Sequence, residues 1–565
     1  ASTGALVTGF NHTFNGNVRA LALSPDKKTL YVGGEFTTVD GSARSRLAAF
    51  DVASGALTSW APVSSGTVNA LAASSTRVYV GGAFSKLANV TTKNIGAVGT
   101  DGSAVPGFTG NPDNVIYGLA LSPAGDKLFL AGAFTTYNGD ATYHAAASIN
   151  PTNAAVIPFP AVSAIPVPSS GCSSVSKVVI TDATKVYFGN EGTGGGCFDG
   201  TFAASLADGS LVWQNQCLGA TQGIALLNNR LYVGSHAHDC SANTFDPDAF
   251  GEVGWSKGLA RHLLAYDASN GTVSSWYPNT NGGTGSALGP RTLATDGTSL
   301  FVGGEFTTVN NSAQQGFARF SPLANGASAL PGKPGTPRAS VLPDGSVNIA
   351  VQPPLDNDDT DLTLRLYRDG GTTPVASIDV HSLFWKRPTV TFVEKGLAAG
   401  TTHSWTVDAI EKNGTQASAK SSSTGNVTIS PVKAYQAAVD ADSPSFFWRL
   451  GEPAGPVAVD ASASGSSGAY NGTVTYAQAG PITGDTNGVA LNGVDGLVVS
   501  NKTSSPSQFS AEAWFKTTST TGGKIIGFGN VPAGFDFGGN PAISWNYDKH
   551  VYMTDDGHIV FGVWN

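Results

Sequence analysis

At one recurring position of this 565-residue chain stand Glu35, Ala83, Ala133, Glu191, His236 and Glu305. Three carboxylates and an imidazole gathered on one face would suit sugar binding, or acid–base work on a glycosidic bond. His236 also opens the run His236-Ala237-His238-Asp239, and Trp255, Arg261 and His262 follow in the same stretch. Two His side chains two apart on a strand point the same way and could share a transition metal. For Glu35 and Glu305, both in Gly-Gly-Glu-Phe runs, the plainer alternative is that they satisfy backbone N–H groups of a tight turn. Asp460 and Asp495 offer the hard oxygen donors that Ca2+ takes, with a solvated turn as the equal alternative. Asp356, Asp358 and Asp359 form an acidic loop expected to be solvated surface. The chain contains no Gly-x-Ser-x-Gly, His-Glu-x-x-His or Walker-type glycine loop. Serine hydrolase, zincin and nucleotide-binding readings therefore lose their usual anchors.

The elements that must hold these residues repeat about every fifty positions. LYVGGEFTTV from Leu30 returns as VYVGGAFSKL from Val78, LFLAGAFTTY from Leu128 and VYFGNEGTGG from Val186. LYVGSHAHDC from Leu231 and LFVGGEFTTV from Leu300 complete six copies. Short apolar runs such as VRALALS (Val18 to Ser24) precede the copies, and LAAFD or LLAYD, a turn, then LTSW or VSSW follow. Each unit reads as four short strands, rich in Val, Leu, Phe and Tyr, with turn chemistry between them. Such units, repeated around an axis, make a β-propeller. Ser2 to Ala22 matches Ser54 to Ala72, and the sixth copy stops near Phe320 after three strands. The expectation is an all-β chain with a six-bladed propeller over residues 1–322, its N-terminal strand completing the last blade.

Cys172, Cys197, Cys217 and Cys240 fall in one stretch without a Cys-x-x-Cys, and four cysteines allow three pairings. The repeat places Cys172 and Cys217 in interblade loops, with Cys197 and Cys240 just after second strands. That equivalence favours 172–197 and 217–240, and disulfides fit an oxidising, extracellular compartment. Only 13% of residues are charged and the net charge is −9, which argues against nucleic acid or an anionic membrane as partner. No segment approaches the roughly 20 apolar residues that span a bilayer, so membrane insertion is not expected. The chain begins at Ala1 and its one Met is Met553, from which a processed, exported N-terminus is expected.

The pattern GG-x-F-T-T-V-x-G-x-x-R-x-x-L-A resembles the delta-sixty-type repeats of secreted bacterial β-propellers. A Pro/Gly linker (323–336) follows. Residues 337–430, with YRDG from Tyr367 and GLAAGTTHSWTVDAIEKNG, resemble a fibronectin type III domain, with His403 where such domains carry a Tyr. Residues 434–565, with SFFWRLGEPAG, VALNGVDGLVVS and FSAEAWFKTTS, resemble a laminin-G or concanavalin-like sandwich. That sandwich needs considerably more residues, so a longer native chain is expected. This module set implies a secreted or cell-surface binding or adhesion protein recognising a glycan or another surface ligand, Ca2+ being the one cofactor suggested. The alternative is a secreted carbohydrate-active enzyme, a glycoside hydrolase or lyase, with its site on blades four, five, six and one.

Overall fold

The computed structural model describes residues 7, 9–169, 171–193, 198–251, 260–274, 276–278, 280–283, 288–310, 312–321, 330–342, 345–356, 359–412, 414, 416–430, 434–482, 485–500, 506–529 and 547–563. The chain divides into two compact units, the first holding the repeats and the second the residues from Leu323 onward.

In the first unit every repeat folds as an up-and-down antiparallel sheet. The first sheet is Val18–Leu23, Thr29–Gly34 and Leu47–Asp51; the second is Thr67–Ala73, Arg77–Ala83 and Ile95–Gly99. The third is Ile116–Leu121, Leu128–Gly132, Ala146–Ile149 and Val156–Ile157; the fourth is Ser173–Thr181, Lys185–Thr193, Gly200–Ser205 and Leu211–Asn215. The fifth is Gly223–Leu227, Arg230–Ala237 and Arg261–Asp267; the sixth is Pro290–Thr295, Leu300–Gly304 and Phe317–Phe320. Single bridges at Phe50–Leu57, Val98–Ala104 and Tyr266–Val273 supply the outer edge of the first, second and fifth sheets. The sixth ends on three strands among the described residues, as the repeat predicts. The N-terminal strand expected beside it falls largely in residues 1–6 and 8, outside the described residues.

Each innermost strand packs against the next, from Val18–Leu23 through to Pro290–Thr295. This is the blade arrangement of a β-propeller. The cores lie between sheets: Tyr31, Leu47, Val68, Leu71 and Val80 form one, and Phe129, Phe159, Val179, Phe188 and Phe202 another. Second and third strands are covered on both faces, which is why LYVGG and LAAFD read as unbroken apolar runs rather than as alternation. The turn from third to outer strand is set by Asp51, Asp101 and Asp267, whose side chains accept from the backbone N–H of Ser54, Ser103 and Ser269. Such Asx turns hold the chain in a tight reversal without help from packing.

A second device ties each interblade loop to the hairpin after the second strand. Asn15 Oδ1 accepts from the N–H of Thr37 and Thr38 at 2.8 and 2.9 Å, and Ser65 Oγ does the same for Ser85 and Lys86. Asp113 serves Thr135 and Thr136, and Asn281 serves Thr307 and Thr308. The fourth and fifth sheets carry cysteines at this junction instead. Cys217 and Cys240 are joined, flanking the Leu218–Asp239 bridge, as the repeat favours. Cys172 is also disulfide-bonded; Cys197, its expected partner, lies outside the described residues.

In the second unit, two three-stranded sheets enclose a core of Val347, Ile349, Leu364, Phe392, Trp405 and Val407. One sheet orders Arg338–Val341, Val347–Val351 and Val390–Glu394; the other orders Ala376–His381, Asp361–Arg368 and Trp405–Glu411. His403 is bonded through Nδ1 to Asp369 at 2.7 Å and through Nε2 to Thr401 at 2.9 Å, so it ties the Tyr367–Gly370 turn to the following strand. The remaining residues add a helix, Ala434–Ala441, and short antiparallel sheets including Gly468–Asn471 with Leu497–Ser500. No helix among the described residues is long and apolar enough to cross a membrane.

Candidate functional site

The recurring position lies at the end of the second strand, just past it at Glu35, Ala133 and Glu305 and within it at Ala83, Glu191 and His236, and a distortion of the innermost strand supplies its partner. Sheets one, two, three, four and six each carry a β-bulge there, at Arg19, Asn69, Tyr117, Lys177 and Arg291. A bulge adds one residue and re-aims its side chain. Glu35 accepts from Arg19 Nε at 2.9 Å and Asn17 Nδ2 at 2.8 Å. Glu305 accepts from Arg291 Nε at 2.7 Å, and Glu191 pairs with Lys177 Nζ at 3.2 Å and accepts from Gln222 Nε2 at 2.9 Å. Where the recurring position is Ala83 or Ala133, the bulge residue is the uncharged Asn69 or Tyr117. Acid and base therefore vary together. The turn-amide role considered for Glu35 and Glu305 gives way to side-chain ion pairs. The Asn17 and Arg19 side chains hold the Glu35 carboxyl below the usual carboxylate range, which keeps it ionised at neutral pH.

The fourth and fifth sheets bring more of the expected residues together. His236 Nε2 accepts from the Ala220 N–H at 3.2 Å. Burial, with His262 and His238 adding, pushes the His236 ring down to about 4. His262 is likewise held down to about 4 by burial. Asp199 joins this group: burial raises its carboxyl, and the nearby Glu191 charge raises it further. Sequence reasoning missed Asp199, although it sits two residues past Cys197 in the segment where the fourth repeat departs most. The His238 N–H donates to the Leu218 carbonyl, the Asp239 carbonyl accepts from the Leu218 N–H, and Asp239 Oδ1 accepts from the Ser241 N–H at 2.9 Å. The Arg261 guanidinium lies 3.2 Å over the Phe250 ring, buried rather than presented to a ligand. Trp255 lies outside the described residues. The structure thus assembles Glu191, Asp199, His236, His238 and His262, while Glu35 and Glu305 are each engaged within their own sheets.

The metal expectations fare differently from the pairing ones. Among the described residues, no three His, Cys, Asp or Glu side chains are placed to hold one ion. Asp460 is fully buried, and its carboxylate accepts from Phe447 N, Ser462 N, Ser462 Oγ, Ser464 Oγ and Ser466 N at 2.7–3.0 Å. Five donors for about four lone-pair sites do not fit Ca2+; this Asp organises its own turn. Asp495 accepts from Asn492 Nδ2 and from the Thr473 backbone N–H and side-chain O–H, again as a turn acceptor. Asp356, expected on a solvated surface, is buried, and Asp358 lies outside the described residues.

On the loop side of the second and third sheets, Ser85, Thr91, Thr92, Lys93, Thr109 and Asn111 line an open groove of about 440 Å3. The surface these residues turn to the groove is mainly apolar, and the Thr92 hydroxyl is spent on the Ile95 carbonyl. No protein-family model matches this chain, and no curated protein matches it. Among solved structures it is similar to the Dos1 propeller, at 13% identity over 61% of this chain and 86% of that one, with a TM-score of 0.33. The mitotic checkpoint complex matches at 13% identity over 54% and 78%, with a TM-score of 0.32. The Cps50 (Swd1) β-propeller domain of Myceliophteria thermophila matches at 9% identity over 51% and 80%, with a TM-score of 0.30.

Proposed function

We propose that this is an exported binding or adhesion protein that recognises carbohydrate or other surface ligands. In this reading, residues 1–322 form a closed six-bladed propeller, followed by a fibronectin type III domain and a laminin-G-like domain. The observation that carries binding over turnover is the ion pairing of the repeat carboxylates. A general acid must hold a proton to give, and Glu35, Glu191 and Glu305 each face a cation instead. The groove beside Lys93, mainly apolar in the surface it presents, is the place this reading gives to the C–H face of a sugar. The Cys217–Cys240 disulfide supports export, since such bonds persist in oxidising compartments.

A glycan array probed with the whole chain tests this, with Lys93→Ala and Asn111→Ala as variants. Binding that weakens at least tenfold in the variants supports the reading; an array without any bound glycan contradicts it. One observation favours turnover as the second reading. Asp199 has the raised carboxyl of a proton donor and lies near Glu191. Glycan cleavage abolished by Asp199→Asn would make that reading the correct one.

A further inference from the structure

In a sandwich of two sheets each strand turns one face inward and the other to water, so burial alternates along it. Asp361–Arg368 in the second unit follows that rule: Leu362, Leu364 and Leu366 are buried, and Asp361, Thr363 and Arg365 between them are not. The opposite sheet breaks it. All five residues of Val347–Val351 are buried. Val347, Ile349 and Val351 belong to the core between the sheets. Asn348 and Ala350 point the other way and are 0% exposed as well. That sheet is therefore covered on its outer face too, and its outward side chains show by what.

The cover is a later stretch of the same compact unit, residues 434–471. Asn348 Nδ2 donates to the carbonyls of Asp460 and Ser462 at 3.0 and 2.9 Å. On the neighbouring strand, Thr391 Oγ1 donates to Ser467 Oγ at 2.9 Å and Thr389 Oγ1 to the Gly468 carbonyl at 3.3 Å. Arg338 Nε reaches the Ala454 carbonyl at 3.0 Å. Gln436 Nε2, from the helix, donates to Val341 on one side of the seam and Ala461 on the other, at 3.1 and 3.2 Å. Ala350 packs with Val457 and Val459. The Asp460 carboxylate, by holding Ser462, Ser464 and Ser466 in their turn, fixes the carbonyls that Asn348 meets. The cover ends soon after Asn471, for Val474–Ile482 holds no buried residue.

We infer that residues 337–430 are the seat of residues 434–471, and that the two stretches fold and move as one body. Modules in series reorient by default, because the interfaces between them are small and polar. Here a buried amide spends both of its N–H groups across the seam. Such a group is tolerated in the interior only while its partners stay in place, so the seam has one register. A ligand carried by the residues after 434 is thereby presented at a fixed angle to the sandwich. The inference goes beyond the glycan reading and does not depend on what is bound.

The test alters one stretch of the full chain and reads the other. Asn348→Asp preserves side-chain shape, points away from the core between the sheets and sets a carboxylate against two carbonyls. Amide exchange at Val457–Ala458 and Gly468–Asn471 should rise at least about tenfold in this variant, while wild-type rates there would overturn the seat. A second measurement decides the matter if Asn348→Asp does not fold. The hydroxyl oxygens of Thr391 and Ser467 lie 2.9 Å apart, so Thr391→Cys with Ser467→Cys brings two sulfurs within reach of a bond of about 2.05 Å. A crosslink between residues 391 and 467, found by peptide mapping of the oxidised monomer, is the expected result. Thiols left free at both positions, or crosslinks formed only between chains, would overturn the seat.

Discussion

His236 and His262 are the residues whose chemistry departs furthest from what their types suggest. His262 is buried and His236 half-buried, and desolvation pushes both rings down to about 4 in the folded chain, against 6.5 in an ordinary setting. The unfolded chain therefore binds more protons between these values, so stability rises with pH across that window. Their contribution is fully present above pH 6.5 and is lost as pH falls toward 4. At 1.36 kcal/mol per pKa unit, each ring carries up to roughly 3 kcal/mol of that dependence. Thermal melts from pH 7 to pH 4 should show a falling midpoint, and His236→Gln should flatten the slope; a slope unaltered in the variant would contradict the assignment. The ion pairs behave differently. Glu35 is solvent-facing and screened, so Glu35→Gln should leave the melting temperature unchanged while releasing the Arg19 side chain, which NMR of its Nε resonance would detect.

Among elements, the clamp between interblade loop and hairpin uses one geometry with interchangeable chemistry. Asn15, Ser65, Asp113 and Asn281 each supply one oxygen to two backbone N–H groups. Asn15→Ala removes two such bonds and should cost about 1–2 kcal/mol, seen as faster amide exchange at Thr37 and Thr38. Exchange at wild-type rates would contradict the clamp. Cys217–Cys240 does the same work covalently across 23 positions. Replacing both by Ser should cost about 3 kcal/mol on loop-entropy grounds, with exchange accelerating in the fifth sheet first. Sequence reading reached the strands, because Val-Gly-Gly repeats in letters at 32–34, 80–82 and 302–304 and the third strands, such as LAAFD and LLAYD, repeat in type. It did not reach the clamp, because Asn, Ser and Asp share an acceptor rather than a letter. The Glu35–Arg19 pairing escaped it for another reason. The bulge inserts a residue between Val18 and Ala20, so simple strand alternation does not predict where Arg19 points. The helix Ala434–Ala441 escaped as well, being two turns long with no acidic first turn or basic last turn.

Across the molecule, the sparse charge noted in the composition acquires a location. Carboxylates of the repeat face are matched by Arg19, Lys177 and Arg291, and turn acids such as Asp51, Asp101 and Asp267 are turned onto backbone amides. These carboxylates are engaged in ion pairs and in turn hydrogen bonds. We propose that the propeller face binds a glycan and returns it intact. The most direct test incubates the whole chain with the glycans it retains on an array and analyses them by mass spectrometry. Bound glycan of unchanged mass is the expected result, with retention lost in Lys93→Ala. Shortened or unsaturated products, or no retained glycan at all, would contradict it.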